Sequence, residues 1–259
     1  MYLPIQPQQT CAAAWLEAAA AVDALPGHEA HNVIIGVSEP MGMADGDANI
    51  IAQVDAFLRA GEGGTPLQAV ANTIFPDALY RRYGAPAFID HFQKKLLPKI
   101  RKNDRWSGYY FERMTAYPRR DGEPFNQLWN MVERIRDEKN KSLNKFEVSL
   151  FDPERDVDNS PYGGQCLSFL SFKLLPGAQK KLALTALYRN HYYIEKLLGN
   201  LIGLARLMNF VAHEGGVGVG PLTVISTHAV IDTPRGYRRR DVAELLEACR
   251  AAEKVRAAA

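Results

Sequence analysis

The apolar positions change period along the chain, and the changes predict an alternation of helices and strands. Residues 9–24 repeat with a helical period and stop at Pro26-Gly27. His31–Ser38 (HNVIIGVS) is rich in β-branched residues and predicts a strand closed by Pro40. Ile50–Leu58 is helical, Gly61–Gly64 is a break, and short helical pieces follow between Pro66 and Tyr83. A helix is expected over Ala87–Lys102, then an aromatic, turn-rich stretch from Arg105 to Pro124. Another helix covers Phe125–Lys139, with Leu128, Val132 and Ile135 on its apolar face.

The second half favours strands. Phe146–Phe151 reads as one, and Asp152–Gly164 (DPERDVDNSPYGG) is a loop dense in turn formers. Cys166–Leu174 and Lys181–Arg189 form a strand pair joined at Pro176-Gly177. A long helix follows near 192–213. Its apolar residues Ile194, Leu197, Leu198, Leu201, Ile202, Ala205, Met208 and Val211 recur every three or four positions, and Leu204 and Leu207 widen the stripe. Most of that helix should be buried. Pro221–Asp232 is the last strand, Arg235–Arg240 a basic turn, and 239–259 an alanine-rich C-terminal helix. The glycine-rich run His213–Gly220 follows a helix and precedes a strand. That is the reverse of phosphate-loop order, so it reads as a flexible turn. The pattern is α+β, a single domain over 1–259.

Composition narrows the class. Hydrophobic residues are 47% and charged residues 23% of the 259, an ordinary globular balance. Lys and Arg number 31 against 29 Asp and Glu, so no basic field argues for nucleic acid or a membrane surface. The N-terminus shows no basic start before an apolar run, and no segment is long and apolar enough to span a bilayer. The three cysteines, Cys11, Cys166 and Cys249, lie far apart, which favours a reducing compartment. These features read as a cytoplasmic protein. His28 and His31 with Asp45 and Asp47 lack metal-ligand spacing, so no metal site is expected. Arg235, Arg238, Arg239 and Arg240 read as a solvated turn. Trp106, Tyr109 and Tyr110 would line a pocket or pack in the core or a dimer contact.

Four residues carry candidate chemistry. Cys166 begins a strand, Arg189 ends the next, Asn200 interrupts an apolar helix, and His228 lies in the last strong strand. An amide buried in such a helix costs free energy unless it finds partners. The order and spacing from Gln165 to Asp232 resemble the catalytic half of thymidylate synthases. That family has a nucleophilic cysteine at a strand start and a hairpin strand ending in leucine-tyrosine-glutamine-arginine. A helix asparagine lies eleven positions after the arginine, and a threonine-histidine strand follows. Here these are Cys166, Leu187-Tyr188-Arg189, Asn200 and Thr227-His228. More loosely, Gly108-Tyr109-Tyr110, Ala116-Tyr117-Pro118 and Asp121-Gly122 match upstream landmarks. The resemblance covers about 105–232, and the first 104 residues diverge.

The resemblance implies a thymidylate synthase-like fold, with a twisted mixed sheet flanked by helices and packed back-to-back in a homodimer. It implies a pyrimidine nucleoside 5′-monophosphate as substrate and a one-carbon transfer to C5 through a Cys166–C6 adduct, by methylation or hydroxymethylation. The donor it implies is 5,10-methylenetetrahydrofolate. Arg189 would hold the phosphate and favour the thiolate. Asn190 would assist at the phosphate, Asn200 would read the base, and His228 would reach the sugar 3′-hydroxyl. Tyr110 and Lys145 join the substrate residues, Lys145 standing with Asn144 where the family's partner subunit supplies two arginines. The chain also departs from the family. Leu167 follows the cysteine in place of histidine, and Tyr192 replaces the folate-contacting aspartate. Val230 replaces a tyrosine, and the helix bearing the catalytic glutamate is best matched at Asn72. These losses leave a second reading open: a catalytically degenerate nucleotide-binding or scaffold homologue.

Overall fold

A computed structural model describes residues 2–101, 109–119, 122–157 and 165–254. Gly108 and Asp121, both part of the resemblance, and Trp106 lie outside the described residues. The N-terminal half contains β1 (Leu3–Pro4), α1 (Cys11–Asp23), β2 (Glu29–Val37), α2 (Asp47–Ala60), α3 (Leu67–Ile74) and α4 (Asp77–Tyr83). α5 (Ala87–His91) runs through a π-helical turn, Phe92–Leu96, into α6 (Leu97–Ile100). α7 (Tyr110–Thr115) and α8 (Gln127–Arg136) follow. The C-terminal half holds β3 (Phe146–Ser149), β4 (Leu167–Leu175), β5 (Lys181–Tyr188) and β6 (His191–Tyr192). A second π-helical turn, Tyr193–Leu197, leads into α9 (Leu198–Gly215), then β7 (Gly218–Val230) and α10 (Arg239–Lys254).

Among the described residues the strands form one mixed sheet in the order β1-β2-β7-β5-β4-β3, with β6 extending the pairing on β7. The expected hairpin is β4–β5, antiparallel, whereas β5 and β7 run parallel with α9 as their crossover. One face is covered by helices. Its buried residues form a cross-strand row, Ile35–Val224–Ala186–Leu170–Val148, that meets α9 and its neighbours. α9 is the central helix, and α3 lies directly on it. A Cβ at Gly203 would sit 2.8 Å from the Ala71 carbonyl oxygen, so glycine permits the close approach. Phe75, Phe88, Phe111 and Phe210 lock α3, α5, α7 and α9 together through ring contacts of 5.0–6.0 Å. Fully buried Trp15 ties α1 to the site end by donating its indole N–H to the Tyr193 carbonyl at 2.8 Å.

Two expectations need correction. The glycine run after α9 is ordered by pairing: Gly216 caps the helix at φ +69°, and Gly218–Gly220 already belong to β7. The first turns of the expected 192–213 helix are instead β6 and a π turn, because His191 and Tyr192 pair with Ala229 and Val230. The basic turn is solvated as expected, with Arg235, Arg238 and Arg240 exposed, and Arg239 is half-buried on Asp23.

Candidate active site

The site gathers at the C-terminal ends of β5 and β7, where β4 begins. Cys166 precedes β4 and is partly buried. Ser168 is the extra residue of a bulge between Leu167 and Phe169, which breaks the register just past the cysteine. The Arg189 backbone N–H donates to the Cys166 carbonyl at 2.9 Å, and the Arg189 Nε–H donates to the Gln165 carbonyl at 3.0 Å. The guanidinium is thereby held beside the cysteine.

α7 holds this strand end from the other side. The Tyr110 hydroxyl lies against this strand end, within the electrostatic reach of the Cys166 thiol, the Leu167 backbone and the Arg189 guanidinium. Three residues along the same helix face, buried Arg113 ion-pairs with Asp156 at 2.8 Å. That pair secures the chain entering the loop before the cysteine. Tyr188, fully buried, packs edge-on to Tyr110 with ring centroids 6.5 Å apart. Its hydroxyl has no partner among the described residues. Burial pushes the hydroxyls of Tyr110 and Tyr188 above 10, so both stay neutral phenols. Burial also raises the Cys166 thiol above 9, although Arg189 and Lys196 pull it down. The expected lowering by Arg189 is present but is outweighed by desolvation.

Asn200, expected as an expensive buried amide, has a partner. Its N–H donates to His191 Nε2 at 2.9 Å, and His191 Nδ1 meets Ser226 Oγ at 3.0 Å. Tyr193 donates its O–H to the same Ser226 oxygen at 3.2 Å. Burial lowers the His191 ring to about 3, so it is neutral at physiological pH. His228 lies nearer the surface, where Nδ1 meets Asn190 Oδ1 at 2.8 Å and Nε2 meets Glu29 at 3.3 Å. His31 is its cross-strand neighbour on β2.

The structure therefore brings Cys166, Arg189 and Tyr110 together, with Asn190 and His228 paired close by in the sheet and Asn200 joined through His191. Lys145 is elsewhere: it precedes β3, whose register places it at the far end of β4 from Cys166. Within one chain it does not reach the thiol. Asn72 bonds to Gln68 on α3. Sequence reasoning missed His191, Tyr188, Ser226, Lys196 and Arg113. Of these only His191, a polar residue between a strand-like and a helix-like run, left a visible trace. His28 pairs with Asp23, and among the described residues no three His, Cys, Asp or Glu side chains converge as a metal site would require. No helix among the described residues is long and apolar enough to cross a membrane.

A thiol, a guanidinium and two phenols gather around one strand end of an α+β sheet, with a networked amide beside them. No family model matches the chain. Two curated archaeal proteins are similar to it, and both carry the name "Putative thymidylate synthase". The protein from Methanocaldococcus jannaschii is 27% identical over 164 residues, 61% of this chain and 70% of its own length. The protein from Methanothermobacter marburgensis is 31% identical over 106 residues, 41% of this chain and 44% of its own length. The relationship is distant and thymidylate synthase-like.

Proposed function

We propose that the chain is a thymidylate synthase-like transferase that binds a pyrimidine nucleoside 5′-monophosphate and adds Cys166 to C6 of its base. What carries the reading is the hydrogen bonding of Arg189 to the carbonyls of Cys166 and Gln165, which holds a fixed cation beside a nucleophile. A guanidinium suits a phosphate dianion, and it favours the thiolate once the thiol proton has left. In the adduct the sulfur–C6 bond forms, the C5=C6 pair moves toward C5 and O4, and C5 becomes a carbon nucleophile. Protonation of C5 from solvent, loss of its original proton and expulsion of the Cys166 thiolate restore the ring, so the C5 hydrogen exchanges with water. Asn200 reads the base, and the His228–Asn190 pair reaches toward sugar and phosphate.

The resemblance makes 5,10-methylenetetrahydrofolate the donor. The residues present do not fit that role well: Tyr192, 37% exposed on β6, is a phenol where the family holds folate with a carboxylate, and Asn72 is not a base. The mechanism for this chain therefore ends at the C5 nucleophile. The proposal includes a homodimer through the open face of the sheet, which would place Lys145 at the partner's phosphate site.

C5-tritiated uridine, deoxyuridine, cytidine and deoxycytidine monophosphates test the reading, each with and without 5,10-methylenetetrahydrofolate. Tritium should enter water from one of them, and Cys166→Ala should abolish release. Release that survives Cys166→Ala would sink the mechanism. The raised Cys166 thiol favours a second reading, binding without turnover. Its mark would be a nucleotide-dependent rise in melting temperature that Arg189→Ala removes, with no tritium release.

A further inference from the structure

We propose that His191 sets which pyrimidine is accepted, by holding the Asn200 amide in one orientation. The inference rests on Asn200 being the base-facing residue and deepens that reading.

A free asparagine side chain does not distinguish the two pyrimidine edges. A 4-keto pyrimidine presents an N3–H donor beside an O4 acceptor, and a 4-amino pyrimidine presents an N3 acceptor beside an N4–H donor. The amide offers one oxygen and one N–H along its edge, and turning it over exchanges them. Discrimination needs something that forbids the turn.

His191 supplies it. The ring is 2% exposed and stacks on Tyr188, with centroids 3.9 Å apart and planes 11° from parallel. Tyr193 closes it edge-on at 5.6 Å. With the Asn200 N–H on Nε2 at 2.9 Å, the proposed tautomer carries the ring proton on Nδ1, which faces Ser226 Oγ at 3.0 Å. Ser226 is fully buried, and its second lone pair takes the Tyr193 hydroxyl. The Tyr188 stack on one face and the contacts at both nitrogens hold the ring in place. In that tautomer turning the amide would set Oδ1 against the Nε2 lone pair, so the turn requires the ring proton to move to Nε2 and the Ser226 hydroxyl to turn and donate to Nδ1. While His191 keeps that tautomer the amide nitrogen stays on it, and the second N–H and the oxygen of Asn200 face the base in one order. His191 touches no substrate in this account and is a positioning residue. Its neutrality, from burial that lowers it to about 3, keeps Nε2 an acceptor across the working pH range.

The test is the binding ratio between deoxyuridine and deoxycytidine monophosphates, and between the ribonucleotide pair, for three proteins. Wild type should prefer one base by at least about tenfold, the scale of one buried hydrogen bond left unmade. His191→Phe keeps the stack but removes the acceptor, and should bring the ratio within about threefold. His191→Gln returns an acceptor and should restore part of the preference. A general loss of stability would weaken both bases alike and leave the ratio unmoved. Wild-type binding without preference, or a preference that His191→Phe retains, would overturn the proposal while leaving the nucleotide site standing. Binding of none of the four nucleotides would remove the reading beneath it, and the inference with it. Should neither variant fold, ¹⁵N spectra of wild-type imidazoles decide: His191 protonated on Nδ1 supports the arrangement, and protonation on Nε2 overturns it.

Discussion

Cys166 sits between two opposed influences. Burial favours the neutral thiol, Arg189 and Lys196 favour the thiolate, and burial prevails. Near neutral pH the unliganded protein thus holds mostly thiol, and its alkylation by iodoacetamide should quicken steadily as pH rises past 9. Arg189→Ala removes one of the two cations that favour the thiolate and should slow labelling at pH 8 severalfold, by raising the thiol further. Cys11 and Cys249 are an internal control. Both are buried, with thiols pushed up to about 12, so native protein should carry label at Cys166 alone. Labelling that ignores the arginine would separate the guanidinium from the nucleophile. The cysteine, arginine and asparagine were legible because each is the wrong chemistry for its pattern: a thiol at a strand start, a cation at a strand end, an amide in an apolar stripe. His191 and Ser226 were not. Their meeting depends on β6 lying parallel to β7, a register between segments that no local periodicity encodes.

At the scale of elements, the entry into α9 is tuned by a carboxyl. Asp232 lies just past the end of β7 and accepts the Ile194 and Glu195 backbone N–H groups at 2.8 and 3.2 Å. It thereby satisfies the π turn that leads into the helix. Burial raises this carboxyl to about 6, from an ordinary 3.8. The folded state therefore holds a proton that the unfolded chain has released between those values, and this contribution to stability is lost as pH rises toward 6. His191, lowered to about 3 from 6.5, works the other way: the unfolded chain binds its proton first, so acidification below 6.5 destabilises. Each slope is about 1.4 kcal/mol per pH unit, so from pH 4 to 6 the two offset each other in the wild type. Asp232→Asn removes one of them. Urea midpoints should show the variant gaining on wild type by up to about 3 kcal/mol as pH goes from 4 to 7. A difference that stays constant over that range would mean that the carboxyl is ionised throughout. The helices and most strands were readable from period alone. The start of α9 was not, because pairing to β7 took Tyr192 from the helix-like run and left an N-terminus that a distant aspartate must cap.

At the scale of the molecule, the sheet is covered on one face and open on the other. Row by row, Ile34 faces Ile225, Ile225 faces Leu187, and Leu187 faces Phe169, an apolar line across four strands. Beside it runs a second line, Gly36–Thr223–Thr185–Ser171, of small and hydroxyl side chains. All are only half-buried within one chain, although they alternate with the most buried residues of the core. A face of this kind is favoured in contact with another apolar layer. Two copies packed back-to-back would supply that layer symmetrically, as the proposed homodimer requires. Sedimentation equilibrium should then give a dimer. Ile225→Lys points a cation into the seam without touching the helix-covered core, so it should give a monomer with unchanged circular dichroism. Were the wild type a monomer at micromolar concentration, the open face would need another explanation and the role proposed for Lys145 would fall with the dimer. The monomeric variant also separates assembly from chemistry. Cys166, Arg189 and Asn200 all belong to one chain, so Cys166 should remain open to alkylation, while nucleotide affinity should fall if the phosphate depends on the partner's Lys145.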